Sequence, residues 1–346
     1  MTKVMPNQHL ITDLDIAQLT IQQRQRLDAA HGAWFSSLGH CTLHRPQPAQ
    51  RVRLWTDTQG RLQRFLFYRL EDRRPRSLHL FGPSDIDPSQ VRQLLLEQRV
   101  SVARLTMMPA SALPRWRTSV LQPRAKRTVM QIVELPLERS AFLGSLGKQT
   151  RKHLPYYYRR LKRDLPDVNL FAAVRSQIDP ADIERLVHLN RSRVEAKGDR
   201  YGGWDSPVLH TRCLLSQQQG LLCGLRQQDR LIAGTLSFVH GDTAYLVLIG
   251  HDPIYDSYNL GNVVLWLSME RMIDDGIRQC NLLWGRSFYK KQFGGREEPV
   301  CEITYCLGVK ASLRCWVSDI ANWTARQWGR ACVLCRRLRQ RLAPRP

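Results

Sequence analysis

Residues 229–295 read DRLIAGTLSFVHGDTAYLVLIGHDPIYDSYNLGNVVLWLSMERMIDDGIRQCNLLWGRSFYKKQFGG, and the order of apolar patterns in this stretch restricts the fold. Apolar residues from Leu231 to Val239, a Gly241-Asp242 turn and a second run from Tyr245 to Ile249 predict a hairpin. A loop follows with Pro253, Tyr255, Tyr258, Asn259 and Gly261. Val263, Leu265, Trp266, Leu267, Met269, Met272 and Ile273 then recur at mostly helical spacing, up to Asp274-Asp275-Gly276, where glycine marks a helix stop. Cys280 to Trp284 is short and apolar, as a buried strand is. Strand, strand, loop, helix, strand predicts an α/β (α+β) protein.

Upstream, residues 146–164 read LGKQTRKHLPYYYRRLKRD, a basic helical segment in which Pro155 predicts a kink or a short break. Lys148, Arg151, Lys152, Arg159 and Arg160 surround three tyrosines, a mixture that suits phosphate contact and base stacking. A solvated basic face with tyrosines packed below explains the same letters. Pro180 to Lys197 reads as a further helix with Ile183, Leu186, Val187, Leu189 and Val194 on one face, followed by the loop GDRYGGWDSP. Nearer the N-terminus, QGRLQRFLFYRL can be laid beside QDRLIAGTLSFV, SLHLFGP beside LVLIGHDP, and VRQLLLEQRVSVARLTMMP beside the later helix and strand. The echo predicts two modules in tandem; any two hairpin-plus-helix units also look alike in pattern. The first forty residues read as helix-rich. Residues 109–136 read as a linker or crossing strand, VMQIVEL being its best strand.

The chain has 346 residues, 43% of them hydrophobic, enough for two domains with a substantial core. The expected division is 1–135, 136–312 and a basic amphipathic C-terminal helix over 313–346. In that last segment Trp316, Ile320, Trp323, Trp328 and Leu334 form a helix-compatible stripe, with eight arginines against the single acid Asp319. Such a helix can dock on the protein, meet RNA, or lie on an anionic bilayer. No run has transmembrane length, and the start MTKVMPNQHLITDLD is too acidic and interrupted for a signal peptide, so a cytoplasmic protein is expected. The net charge of +22 attracts polyanions: nucleic acid, an anionic membrane surface or a phosphorylated carrier. Nine cysteines show no framework, and neither Cys332 with Cys335 nor Cys41 with His44 completes a metal site, so no metal is expected.

The hairpin with Tyr245, the loop before the helix, and the closing pattern of Gly285, Arg286, Tyr289, Lys290, Phe293 and Gly294 resemble the GNAT-like acyltransferase family. The branch in question includes the CelD/BioF-type acetyltransferase domain and, more remotely, the Fem transferases that build peptidoglycan cross-bridges. The resemblance spans about residues 140–310 and implies a GNAT-like mixed sheet flanked by helices, with a GNAT-like acyltransferase module over 136–312 and a degenerate GNAT-like module before it. It implies direct attack of an amine acceptor on an activated acyl group. No tightly bound cofactor is expected, and acyl-CoA or aminoacyl-tRNA would serve as co-substrate, with tRNA a partner in the second case.

The resemblance places the donor at Tyr245, Ile249, Asn259, Gly261 and Arg286. The acceptor would lie by Tyr201 and Trp204, and phosphate contacts along Lys148, Arg151, Lys152, Arg159 and Arg160. Lys290 falls on the lysine of the closing pattern, where it can neutralise a phosphate or stabilise an oxyanion. His251, Asp252, Tyr255 and Tyr258 follow the central strand, where proton-transfer groups can reach the cleft; loop residues of these types are as often structural. The chain departs from typical GNAT enzymes in one respect. Their Arg/Gln-x-x-Gly-x-Gly/Ala turn, which cradles the coenzyme A pyrophosphate, is reduced here to Gly261 in YNLGN, which leaves the donor open.

Overall fold

The structure, a computed structural model, describes residues 10–20, 50–59, 61–71, 76–81, 87–111, 124–196 and 219–318, with single positions at 22, 23, 27, 113, 320, 321 and 324. Twelve strands and six labelled helices lie within them. In chain order the strands are β1 (Leu10–Asp15), β2 (Gln50–Thr56), β3 (Leu62–Glu71), β4 (Ser77–Phe81), β5 (Val102–Pro109), β6 (Arg124–Glu134), β7 (Val168–Val174), β8 (Gly220–Gln227), β9 (Arg230–His240), β10 (Thr243–His251), β11 (Gln279–Trp284) and β12 (Arg296–Cys306). The helices are α1 (Pro88–Glu97), α2 (Arg139–Ser145), α3 (Lys148–Asp164), α4 (Pro180–Ala196), α5 (Leu260–Asp274) and α6 (Phe288–Gln292). The chain forms two compact units, one of residues 1–18, 49–126 and 302–346, the other of 19–48 and 127–301. Strands β6 and β12 each begin in one unit and end in the other, so the segment around Arg124, Lys126 and Arg127 is a crossing strand.

The echo between the two halves is one of topology. In the first unit β1 to β4 form an antiparallel meander, α1 follows, and β5 pairs parallel to β4. In the second, β7 to β10 form an antiparallel meander, α5 follows, and β11 pairs parallel to β10. The second unit then adds β6 antiparallel to β11. The fold is a large mixed sheet flanked by helices. Asp87 starts α1 as a capping box with Gln90, and Gly276 at φ +79° ends the turn after α5, the stop read from Asp274-Asp275-Gly276.

Two features differ from the sequence reading. Residues 10–15 are a strand, because their partners lie about forty residues on in β2 and long-range pairing overrides local propensity. Helix α3 runs through Pro155 without a break. Its buried Leu154 and Leu161, with Tyr157 and Tyr158 packed on the core, hold it across the one backbone bond that proline removes.

Burial explains the weak periodicity of α5. Ten of its residues, Leu260 and Val263 to Met269 with Met272 and Ile273, are buried, because the sheet lies on one side and α2 and α3 lie on the other. Within this apolar layer the Ser268 hydroxyl bonds Thr235 on β9 at 2.6 Å and the Val264 carbonyl at 2.6 Å, so these two hydroxyls satisfy each other and the helix backbone. On the other face of the sheet, α4 approaches β10 so closely that a Cβ on Gly250 would lie 2.9 Å from the Asn190 backbone nitrogen and 3.0 Å from the Leu186 carbonyl oxygen. Burial pushes the thiols of Cys223 and Cys280 up to about 12. Among the described residues no cysteine forms a disulfide, no group of histidine, cysteine and acidic side chains could hold a metal, and no helix is long and apolar enough to cross a membrane.

Candidate active site

Strands β10 and β11 part after three residues. Thr243, Ala244 and Tyr245 pair with Gln279, Cys280 and Asn281, and there the paired register stops. Two irregularities follow from the local sequence. Strand β10 bulges between Leu246 and Leu248. In β11 the Asn281 carboxamide oxygen accepts from the Leu283 N–H at 2.9 Å, Leu283 takes φ +61°, and the register to β6 shifts between Asn281 and Trp284. The result is a fork with Tyr245, buried, at its closed end, Leu246 to His251 along one arm and Leu282 to Trp284 along the other.

Each arm is fixed at its open end. On β10 the Ile249 carbonyl accepts from Asn190 Nδ2 of α4 at 2.6 Å. On β11 the Lys290 ammonium, 4% exposed, donates to the carbonyls of Leu283 (3.3 Å), Trp284 (2.7 Å) and Gly285 (3.2 Å). Three N–H donors thus meet three carbonyls, and burial lowers the Lys290 pKa to about 8. The sequence reading directs this ammonium at a phosphate or oxyanion; here its bonds go to the end of a strand.

Past the bulge in β10, Ile249 and His251 lie on the α5 face while Leu248 and Gly250 face α4. His251 Nε2 lies 2.9 Å from Asp256 Oδ1, a partner that favours the neutral tautomer with the proton on Nε2 and Nδ1 as acceptor. That Nδ1 sits 3.2 Å from the place a Cβ on Gly261 would take, so the absence of a side chain at 261 seats the imidazole beside the first turn of α5. Asn259, at φ +51° and ψ +41°, reverses the chain into that helix, and no side chain caps its start. Its carboxamide oxygen accepts from Asn262 Nδ2 at 3.0 Å.

The other polar residues of this loop hold structure together. Asp252 is buried, accepts from Arg185 and Arg230 at 3.1 Å each, and caps the 3-10 turn Pro253–Tyr258 through the Ile254 N–H. The Tyr255 hydroxyl donates to Gln227 at 2.5 Å. That of Tyr258 donates to Asp164 at the end of α3 at 3.3 Å, with the Arg160 guanidinium 5.1 Å above its ring. Arg286 is exposed and forms a bidentate pair with Glu297 at 2.9 to 3.1 Å. Lys148, Arg151, Lys152 and Arg159 are exposed on one face of α3, Arg151 also bonding the Gly144 carbonyl at 3.1 Å. Tyr201 and Trp204 lie outside the described residues.

His251, Asn259 and Gly261 are therefore brought together at one end of the fork, with Lys290 at the other arm. Two contributors escaped the sequence reading. Asp256 stands within the quoted loop, five residues after His251, and that spacing was the available signal. Asn190 belongs to a helix about sixty residues away, and nothing local to it points at Ile249.

Residues 148–291 match a family model described as an acetyltransferase (GNAT) domain. No curated protein matches the chain. Among solved structures the fold is similar to that of FemX, with 9% identity, 86% of this chain and 97% of that one covered, and a TM-score of 0.58. A conserved protein of unknown function from Bacteroides thetaiotaomicron gives 13% identity, 86% and 100% coverage and a TM-score of 0.58. L-PGS from Bacillus licheniformis gives 11% identity, 81% and 90% coverage and a TM-score of 0.51. At these identities the likeness is one of fold. Over residues 148–291 the chain is similar to GNAT acetyltransferase domains, and its fold is that of a GNAT-type acyltransferase.

Proposed function

We propose that the chain transfers an acyl group from an acyl-CoA thioester to an amine, with the acyl carbonyl held in the fork between β10 and β11. The observation that carries this reading is the parting of the two strands after Tyr245, directly before a helix whose N-terminus follows the β10 arm. Unpaired strand N–H groups in such a gap can hydrogen-bond a carbonyl whose oxygen gains charge, and the first turn of α5 favours the donor's phosphates. The amine nitrogen attacks the carbonyl carbon, the tetrahedral oxyanion collapses, the carbon–sulfur bond breaks and thiolate leaves. The proton lost by the attacking nitrogen goes to His251 Nδ1, with Asp256 holding the ring in the required tautomer. Lys290 is a positioning residue in this scheme: it fixes the end of the β11 arm.

A second reading, with aminoacyl-tRNA as donor, is favoured by the exposed cationic face of α3 formed by Lys148, Lys152 and Arg159. The two are separated by titrating purified protein with acetyl-CoA and, separately, with bulk aminoacylated tRNA across salt. Saturable acetyl-CoA binding, with tRNA affinity that collapses near physiological salt, supports the thioester donor. tRNA binding that persists, exceeds that of uncharged tRNA and comes without acetyl-CoA binding overturns it in favour of the ester donor.

A further inference from the structure

Helical residues 308–318 of the first unit bury one side and leave an apolar stripe in solvent. Ala311 and Cys315 are buried, packed with Val102, and Cys315 Sγ lies 3.7 Å from Cys306 Sγ. Val309, Leu313, Trp316, Val317 and Ile320 recur at intervals of four, three, one and three, a single helical stripe, and are 43% to 69% exposed. Beside the stripe is an open groove of about 850 Å³, lined by Leu313, Val317, Val100 and the arginines Arg76, Arg99 and Arg314. The sequence beyond, residues 325–346, holds seven arginines and no acid.

We propose that this face is a docking surface for an anionic phospholipid bilayer. The stripe enters the boundary between headgroups and acyl chains, and Arg76, Arg99 and Arg314 take headgroup phosphates at the groove. Charge decides between the possible occupants. A second copy would bring the same arginine rim against itself, a like-charge contact. RNA would match the charge, but of the five stripe residues only Trp316 has a ring on which a base could stack, and Val309, Leu313, Val317 and Ile320 offer none. An anionic bilayer satisfies both the aliphatic stripe and its cationic border.

The test is co-sedimentation of the full chain with vesicles of phosphatidylglycerol and phosphatidylcholine, and with phosphatidylcholine alone, at about 150 mM salt. Binding to the anionic vesicles and not to the neutral ones is expected. The double variants Leu313→Glu/Val317→Glu and Arg99→Glu/Arg314→Glu should each lower partitioning by roughly tenfold or more, with unchanged circular dichroism melting, since all four side chains are exposed. Failure of the wild-type chain to bind anionic vesicles overturns the proposal. So does wild-type partitioning of Leu313→Glu/Val317→Glu, which would reduce the effect to general charge. A stripe used for self-association would show as a dimer in gel filtration lost in that variant, and one used for RNA as weakened polyuridylate binding; either result without vesicle binding reassigns the surface.

Discussion

Lys290 combines a full charge with near-complete burial, and the three carbonyls at the end of β11 account for its place there. Its pKa, lowered from 10.5 to about 8, means that the unfolded chain holds this proton more tightly than the folded one. Stability contributed by this group is therefore lost as pH falls through about 8 and recovered as pH rises to about 10.5, a span of at most about 3 kcal/mol. Urea midpoints measured between pH 7 and 10.5 should rise less steeply for Lys290→Met than for wild type; equal slopes would show that the ammonium is not held as described. His251 makes a kinetic prediction. If its Nδ1 accepts the acceptor's proton, His251→Gln lowers kcat by about a hundredfold or more while donor binding, measured by calorimetry, stays near wild type. Asp256→Asn should have a smaller effect in the same direction. Wild-type turnover in His251→Gln would remove the residue from the mechanism.

At the scale of elements, α4 and β10 depend on Gly250. A methyl group there would meet backbone atoms of Asn190 and Leu186 that no side-chain rotation can clear, so the helix must move. Gly250→Ala is expected to lower unfolding free energy by about 1 to 3 kcal/mol in urea titrations. It should also weaken the Asn190 bond to Ile249 that holds the β10 arm. Helix α3 makes a separate prediction, because its buried Leu154 and Leu161 leave the basic face free of structural duty. Lys148→Glu/Lys152→Glu/Arg159→Glu should fold like wild type. If this face contacts phosphates, the slope of log K against log salt for tRNA binding falls by about 2 to 3. An unchanged slope would assign these charges to solvent.

Over the whole molecule, a net charge of +22 is expected to give non-specific RNA affinity at low ionic strength whatever the reaction. Uncharged tRNA is expected to bind below about 50 mM salt and to lose about a thousandfold in affinity by about 200 mM. Only binding that survives this range bears on the donor. The repeated meander, helix and parallel strand also has a consequence at this scale. Each unit possesses the strand order that forms the fork in the second, since β4 and β5 pair over Leu78 to Leu80 just as β10 and β11 pair over Thr243 to Tyr245. The His251, Asp256 and Gly261 arrangement is described in the second unit.

The sequence by itself determined the hairpin, the long helix and the closing strand of residues 229–295, because each rests on a local period of two or 3.6 residues and on turn glycines within a few positions. It suggested the tandem repeat, since the same apolar order recurs near residue 60, but the strand pairings decided it, and it brought His251, Asn259 and Gly261 forward as neighbours in one loop. Only the tertiary structure decided that residues 10–15 pair with β2, that Asp252 and Tyr255 are engaged by Arg185, Arg230 and Gln227, and that Asn190 secures Ile249. These contacts join residues tens of positions apart, and no periodicity encodes which distant partner a charge will find. Lys290 shows the division most plainly: its place in the closing pattern was legible, whereas the direction of its ammonium depended on the turn of β11 at Leu283. That turn follows from a hydrogen bond between the Asn281 side chain and the backbone, a contact two residues long that only the folded strand reveals.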